Sequence, residues 1–261
     1  MAPSSKTPSD NPSTLSHKIL VALATYNECE NIGRLYPAIR AILPNADILV
    51  IDDNSPDGTG NKVSALSQAD PRLHLIRRAG KLGLGTALFR AIDYAKEISA
   101  NYLIIMDADL SHPPSAIPSL LSGMVTKDIM IGSRYVPGGG TVGWPISRRM
   151  ISLSVNLLFR GMFRIRVKDA SGSYRCYNMD ILNRARTDKL ISTGYSFLEE
   201  LLYLCSKAGA RIGETPIVFV ERLSGVSKVN WVEALRSLST LVYLGIRSIL
   251  GWDDDLKPIG K

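Results

Sequence analysis

Residues 102–114 read Tyr-Leu-Ile-Ile-Met-Asp-Ala-Asp-Leu-Ser-His-Pro-Pro. Four consecutive large apolar residues, Leu103 to Met106, are too few for a buried helix and suit a strand covered on both faces. The Asp107-Ala108-Asp109 that follows ends the run with two carboxylates one residue apart. Working outward, similar short runs stand at Ile19–Ala24, Ala46–Ile51, Leu73–Ile76 and Ile129–Ile131. Between them Ile32, Leu35, Tyr36, Ile39 and Leu43, and then Leu84, Ala87, Leu88, Ala91, Ile92 and Ala95, recur at helical spacing. Alternating strand and helix patterns predict an α/β chain with an open, mostly parallel sheet between layers of helices. The acidic groups Asp52-Asp53 and Asp107-Ala108-Asp109 both fall at the carboxyl ends of predicted strands, where open sheets of this kind bind ligands.

The composition agrees. The chain has 261 residues, 45% hydrophobic and 21% charged, which excludes a disordered, collagen-like or coiled-coil polypeptide. Residues 1–17, rich in Ser, Pro and Thr, read as a flexible tail without a signal-peptide core, and 251–261 as a second tail. No stretch reaches the roughly 20 apolar residues of a membrane span. Cys29, Cys176 and Cys205 have neither disulfide nor metal spacing, which points to a reducing, cytoplasmic setting. The net charge of +7 calls for an anionic partner. Eight basic residues and one acid lie between Arg134 and Arg175, so this segment alone carries +7. Within it, residues 136–146 read as a mobile glycine-rich loop. Further helices are predicted near Phe197–Lys207 and Asn230–Leu250, with a strand at Pro216–Val220.

Two adjacent carboxylates at a strand end are oxygen donors for Mg²⁺ or Mn²⁺, with water and diphosphate oxygens completing the shell. A solvated acidic turn is the plain alternative. Asp52 and Asp53 would line the same crevice and suit a base or ribose. Asp57-Gly58-Thr59 reads as a turn and helix start. Gly83 and Gly85 open a helix, for nucleotide approach or for packing. The third glycine of a dinucleotide fingerprint is missing.

Seven motifs in order resemble family 2 glycosyltransferases, and within them the polyprenol-phosphate (dolichol-phosphate) mannosyltransferases. They are Ala24–Glu28, Ile51–Thr59, Lys81–Ala87, Met106–Pro113, Gly132–Tyr135, Gly172–Arg175 and Glu221–Lys228, within a match from about residue 18 to 245. The resemblance implies an A-type glycosyltransferase fold with a Rossmann-like nucleotide half. Without repeats or a clear linker the chain reads as one domain over 18–250, the nucleotide-sugar half at about 18–133 and the acceptor half at about 134–250. The resemblance also implies mannose transfer from GDP-mannose to a polyprenyl (dolichyl) phosphate with inversion, leaving β-D-mannosyl phosphate and GDP.

Carried over by position, Tyr26, Glu28, Asp52 and Asp53 face the nucleotide. Asp107, Ala108 and Asp109 face the metal and diphosphate, with Ser111 as third metal ligand where some members carry glutamine. Arg134, Arg148, Ser152, Arg222 and Lys228 face phosphate groups, and Asp109, Arg134 and Arg222 are the catalytic expectation. The family commonly has proline at the position of Ala24. The implied partners are GDP-mannose, a polyprenyl phosphate, and a membrane surface on its cytoplasmic face or a small membrane-anchoring subunit; nucleic acid is not among them. Trp231 and the apolar side of the last helix fit either a core-covering or an interfacial helix. Arg160, Arg164, Arg166 and Lys168 are read as membrane-facing or structural. Another sugar donor stands as the alternative within the class. Outside it stand a phosphohydrolase of the haloacid-dehalogenase type, whose Asp-x-Asp follows the first strand rather than a late one, and a non-catalytic binding subunit.

Overall fold

A computed structural model describes residues 17–190, 192, 194, 196–221, 239 and 242–246. Residues 1–16 and 251–261 of the two tails, Arg222, Lys228 and most of the predicted last helix lie outside the described residues.

Each apolar run forms a strand: β1 (Ile19–Thr25), β2 (Asp47–Asp52), β3 (Leu73–Arg77), β4 (Tyr102–Asp107) and β5 (Ile129–Ser133). The helical patterns form α1 (Cys29–Ile42), α2 (Thr59–Ser67), α3 (Leu84–Glu97) and α4 (Ile117–Gly123). After β5 come β6 (Gly140–Val142), α5 (Ile146–Phe163), β7 (Arg175–Asn178), α6 (Met179–Arg184), α7 (Phe197–Lys207), β8 (Ile212–Pro216) and β9 (Val218–Val220). Seven strands make one sheet in the order β3-β2-β1-β4-β7-β5-β8. Only β7 runs antiparallel to its neighbours.

Alternation along the strands sorts the core onto two faces. Leu20, Ala22, Leu103 and Ile105 pack with α3, α6, α7 and the buried side of α5. Val21, Leu23, Ile104 and Met106 pack with Ile32, Leu35 and Ile39 of α1 and Ile117 and Leu120 of α4. The core therefore lies on both sides of a buried sheet, and the edge formed by the strand ends is left for polar groups.

Three features differ from the sequence expectation. The strand expected at Pro216–Val220 divides at Ile217, with β8 ending at Pro216 in the large sheet and β9 lying in a small second one. The glycine-rich loop is partly ordered into β6, which pairs in parallel with β9 as a small second sheet. Gly139 permits this, because a Cβ there would sit 2.4 Å from the Ser133 carbonyl oxygen. The short strand β7, inserted between β4 and β5, has no alternating pattern to announce it, since its first three residues are all buried. It follows the 168–174 segment and so brings Ser171 and Ser173 beside β4 and β5.

Candidate active site

The chain turns sharply where β1, β2 and β4 end. Asn27, Asn54 and Leu110 all have left-handed backbone, with φ of 61°, 56° and 66°. For leucine this costs roughly 1–2 kcal/mol, a strain characteristic of functional turns. At Leu110 the turn lets the Ser111 amide and hydroxyl donate to Asp109 Oδ1 at 3.1 and 2.5 Å. Ser111 is buried, so its hydroxyl proton serves Asp109, and its oxygen lone pairs are what it has for a metal.

Asp107 is held differently. Ser173 Oγ, arriving from the segment before β7, lies 3.1 Å from both of its carboxylate oxygens. Its own amide donates to His112 Nδ1 at 2.9 Å. That bond leaves the proton of a neutral imidazole on Nε2, which lies 3.8 Å from Asp107 Oδ2. Burial pushes His112 below the ordinary histidine value and keeps it neutral, against the pull of Asp107 and Asp109. The Asp107 side chain remains about a third exposed, at 35%. Ala108 between the two acids is buried.

Two oriented carboxylates with only oxygen donors fit a hard divalent cation. Among the described residues, no group of three or more acidic, histidine or cysteine side chains could hold a metal. The two aspartates would leave most coordination positions to water and phosphate oxygens, as magnesium prefers.

On the nucleotide side, Asp52 is buried and accepts hydrogen bonds from Thr25 Oγ1 at 3.1 Å and from the Ser55 amide and hydroxyl at 3.1 and 2.5 Å. Asp53 pairs with Arg78, whose guanidinium also reaches Thr86 Oγ1 at 2.6 Å and the Gly83 carbonyl at 3.2 Å. This brace ties the end of β2 to the start of α3, and nothing in the spacing of Arg78 announced it. Glu28 accepts from Asn31 Nδ2 at 2.7 Å, and Lys81 sits over the Tyr26 ring at 4.4 Å. Gly58 and Gly83 precede α2 and α3 with φ of 87° and 91°, so both glycine sites serve helix starts.

The arginines form the opposite wall. Arg134 donates to Asp169 from its backbone amide, Nε and Nη2 at 2.8, 2.8 and 2.6 Å, and from Nη2 to Ser171 at 2.9 Å. The pair is deeply buried, at 8% and 0% exposure. One edge of the Arg134 fork is therefore committed to the protein, which the motif alone did not reveal. The Asp169 and Lys168 amides in turn donate to Glu214 at 3.0 and 2.8 Å.

Arg148, in the first turn of α5, pairs through Nη1 with Glu221. Trp144 lies between the two cations, 5.0 Å from the Arg134 guanidinium carbon and 4.2 Å from that of Arg148. Ser152, one turn along α5, is 3.5 Å from Ser171. Phe219 of β9 touches Trp144 and His112, at 5.3 and 5.6 Å between ring centres, and so links the acidic and basic walls. Structure thus brings Asp107, Asp109, Ser111, Arg134, Arg148 and Ser152 around connected parts of one rim. Asp169, Ser173, Trp144 and Glu221 belong with them, although sequence reasoning gave them no role.

Comparison with known proteins identifies the family. Residues 20–188 match the family model described as glycosyl transferase family 2. An undecaprenyl-phosphate mannosyltransferase of Micrococcus luteus is 40% identical over 213 residues, 82% of this chain and 88% of that protein. A polyprenol monophosphomannose synthase of Mycolicibacterium smegmatis is 35% identical over 245 residues, 92% of each chain. Glucosyl-3-phosphoglycerate synthase from Mycobacterium tuberculosis, solved with Mn²⁺, UDP-glucose and phosphoglyceric acid, has a TM-score of 0.65 at 16% identity. That alignment covers 90% of this chain and 81% of the solved one, a likeness of fold.

Proposed function

This chain belongs to glycosyl transferase family 2 and has the A-type fold, and from that premise we propose that it transfers mannose from GDP-mannose to a polyprenyl phosphate. The observation that carries the reading is the pairing of two oriented carboxylates, Asp107 and Asp109, with a wall of arginines across one rim. The names of the two curated relatives support both the sugar and the class of acceptor.

The chemistry needs few groups. A phosphate oxygen is already anionic near neutral pH, so no general base must remove a proton from it. The difficulty is that two anionic substrates must meet. Asp107 and Asp109, with Ser111 as a third oxygen, would hold Mg²⁺ or Mn²⁺, which when bound neutralises the diphosphate and stabilises it as a leaving group. Arg148 presents donors to the acceptor phosphate, with Ser152 beside it. Arg134, its charge balanced by Asp169, which holds one edge of its fork inward, keeps its remaining donors for phosphate in this reading. Guanidinium suits this duty, since it binds phosphate bidentately and stays charged. Tyr26, Glu28, Asp52 and Asp53 line the nucleotide side, and Arg222 and Lys228 remain proposed phosphate contacts. The acceptor oxygen bonds to the anomeric carbon as the bond to diphosphate breaks, which inverts an α-linked donor to a β-linked mannosyl phosphate.

A lipid acceptor calls for contact with a membrane surface. Ile146, Met150, Leu153 and Leu157 follow one another along α5 at helical spacing and are all exposed, Ile146 by 82% and Leu157 by 69%. Exposed Arg149, Arg160 and Arg164 flank this stripe, a composition suited to an anionic interface. Among the described residues, no helix is long and apolar enough to cross a membrane. We place the working enzyme on the cytoplasmic face as a peripheral protein.

The test offers purified protein several nucleotide sugars with a short polyprenyl phosphate and magnesium or manganese. Mannosyl phospholipid formed from GDP-mannose alone is the expected result, and Asp109→Ala abolishes it even at saturating metal. Transfer from another nucleotide sugar replaces the donor. Phosphate release without sugar transfer defeats the reading.

A further inference from the structure

We propose that the Glu221 carboxylate is an internal stand-in for the acceptor phosphate: it occupies Arg148 until the lipid phosphate displaces it, and retakes Arg148 as product leaves. The inference rests on the reading that Arg148 receives that phosphate.

The two arginine–carboxylate pairs of the rim are built in opposite ways. Arg134 makes three hydrogen bonds to Asp169, and both side chains are shut off from water. Arg148 meets Glu221 through Nη1 alone, and the two side chains are 33% and 31% exposed. Water can solvate both partners of the second pair if they part, so separation costs little. The first pair is a fixture and the second is exchangeable.

The surroundings hold the Glu221 backbone and leave its side chain about a third exposed. Its backbone amide donates to the Val142 carbonyl at 2.9 Å, where β6 and β9 end together. Gly143, with φ of +85°, fits closely beneath it, since a Cβ there would lie 3.1 Å from Glu221 Cβ. Arg148 stays in place when Glu221 swings away, because its guanidinium rests 4.2 Å from the centre of the Trp144 ring. That contact is with the ring face and leaves the N–H donors for an anion.

The charges give the exchange a direction. Carboxylate and phosphate present a similar pair of oxygens to a guanidinium. A phosphomonoester carries about −1.5 to −2 near pH 7 and outcompetes a carboxylate of −1. The product is a phosphodiester of −1, because the remaining negative charge leaves on the nucleoside diphosphate. Against that product Glu221 competes on equal terms, which favours release.

The experiment uses the full chain. Glu221→Gln lowers KM for a short polyprenyl phosphate, and lowers the competitive inhibition constant of inorganic phosphate, each by about two- to five-fold, the range expected for an exposed pair. The inhibition constant of the mannosyl phospholipid product falls with them. Glu221→Asp, with a shorter reach, gives intermediate values, and the effect of Glu221→Gln vanishes when Arg148→Gln is also present. An unchanged or raised KM in Glu221→Gln, with circular dichroism matching the parent, overturns the proposal and makes Glu221 a residue that positions Arg148. If Arg148→Gln alone changes neither the lipid KM nor phosphate inhibition, the phosphate site itself is misassigned, a separate failure.

Discussion

Ser173 and Asp169 act on the site without being its obvious members. Ser173 restrains both oxygens of Asp107. If Asp107 holds the proposed cation, Ser173 is an outer-shell partner of a metal ligand, and such partners typically govern affinity by 10–100-fold. Ser173→Ala is therefore expected to weaken Mn²⁺ binding by about tenfold, read by calorimetry in the absence of substrate, while thermal unfolding stays near that of the parent. Asp169 neutralises a buried guanidinium, and removing one partner of such a pair costs about 3–5 kcal/mol. Asp169→Asn should lower stability by that order in a denaturant titration, far more than Glu221→Gln, whose partner reaches water. The motifs pointed to Asp107, Asp109 and Arg134, because short acidic and basic signatures survive as local strings. They could not reveal Asp169 as the partner of Arg134, because 35 residues of chain separate the two and only folding closes that distance.

At the scale of elements, α5 has a buried face and an exposed one, and the exposed one is the proposed membrane contact. Asn156, Phe159 and Phe163 are buried, while Ile146, Met150, Leu153 and Leu157 form the exposed stripe. Leu157→Glu places a charge on the stripe without touching the core side. It is expected to reduce binding to vesicles containing anionic lipid several-fold in a sedimentation assay. Turnover of a detergent-dispersed short acceptor stays near the parent value, and equal vesicle binding by both proteins would remove α5 from the membrane surface. β6 depends on Gly139, where a Cβ would meet backbone rather than a yielding side chain. The strands of the first half were readable because each is a continuous apolar run bounded by turn residues. β6, at three residues, was not, since its pairing with β9 rather than its own composition makes it a strand.

Across the whole molecule, a few charged side chains are buried beside the apolar core, among them Arg175 and Glu199. Beneath the site, Arg175 is fully buried and donates to the carbonyls of Gly172 and Leu198 at 2.7 and 2.6 Å and to that of Ala170, fastening the segment that carries Ser171 and Ser173. Burial pushes the nearby Glu199 carboxyl from an ordinary 4.5 up to about 7, although the Arg175 charge pulls it down. The folded state then holds a proton that the unfolded chain has released, so stability falls as pH rises from about 4.5 to about 7 and levels off above. The loss is on the order of 3 kcal/mol. Glu199→Gln should raise the melting temperature at pH 8 relative to the parent, with the gain shrinking toward pH 4.5. A constant difference across that range would show that Glu199 is charged in the fold. The amino-acid order by itself determined the alternation of strands and helices, the burial of the sheet on both faces, and the placing of acids at strand ends. Those properties follow from periodicity and local turn chemistry, which act within a dozen residues. Only the tertiary structure decided which carboxylate neutralises which arginine, which of those pairs is closed to water, and where the last strands enter the sheet. Such outcomes depend on distance in space and on exclusion of solvent, and neither is a property of neighbouring residues in the chain.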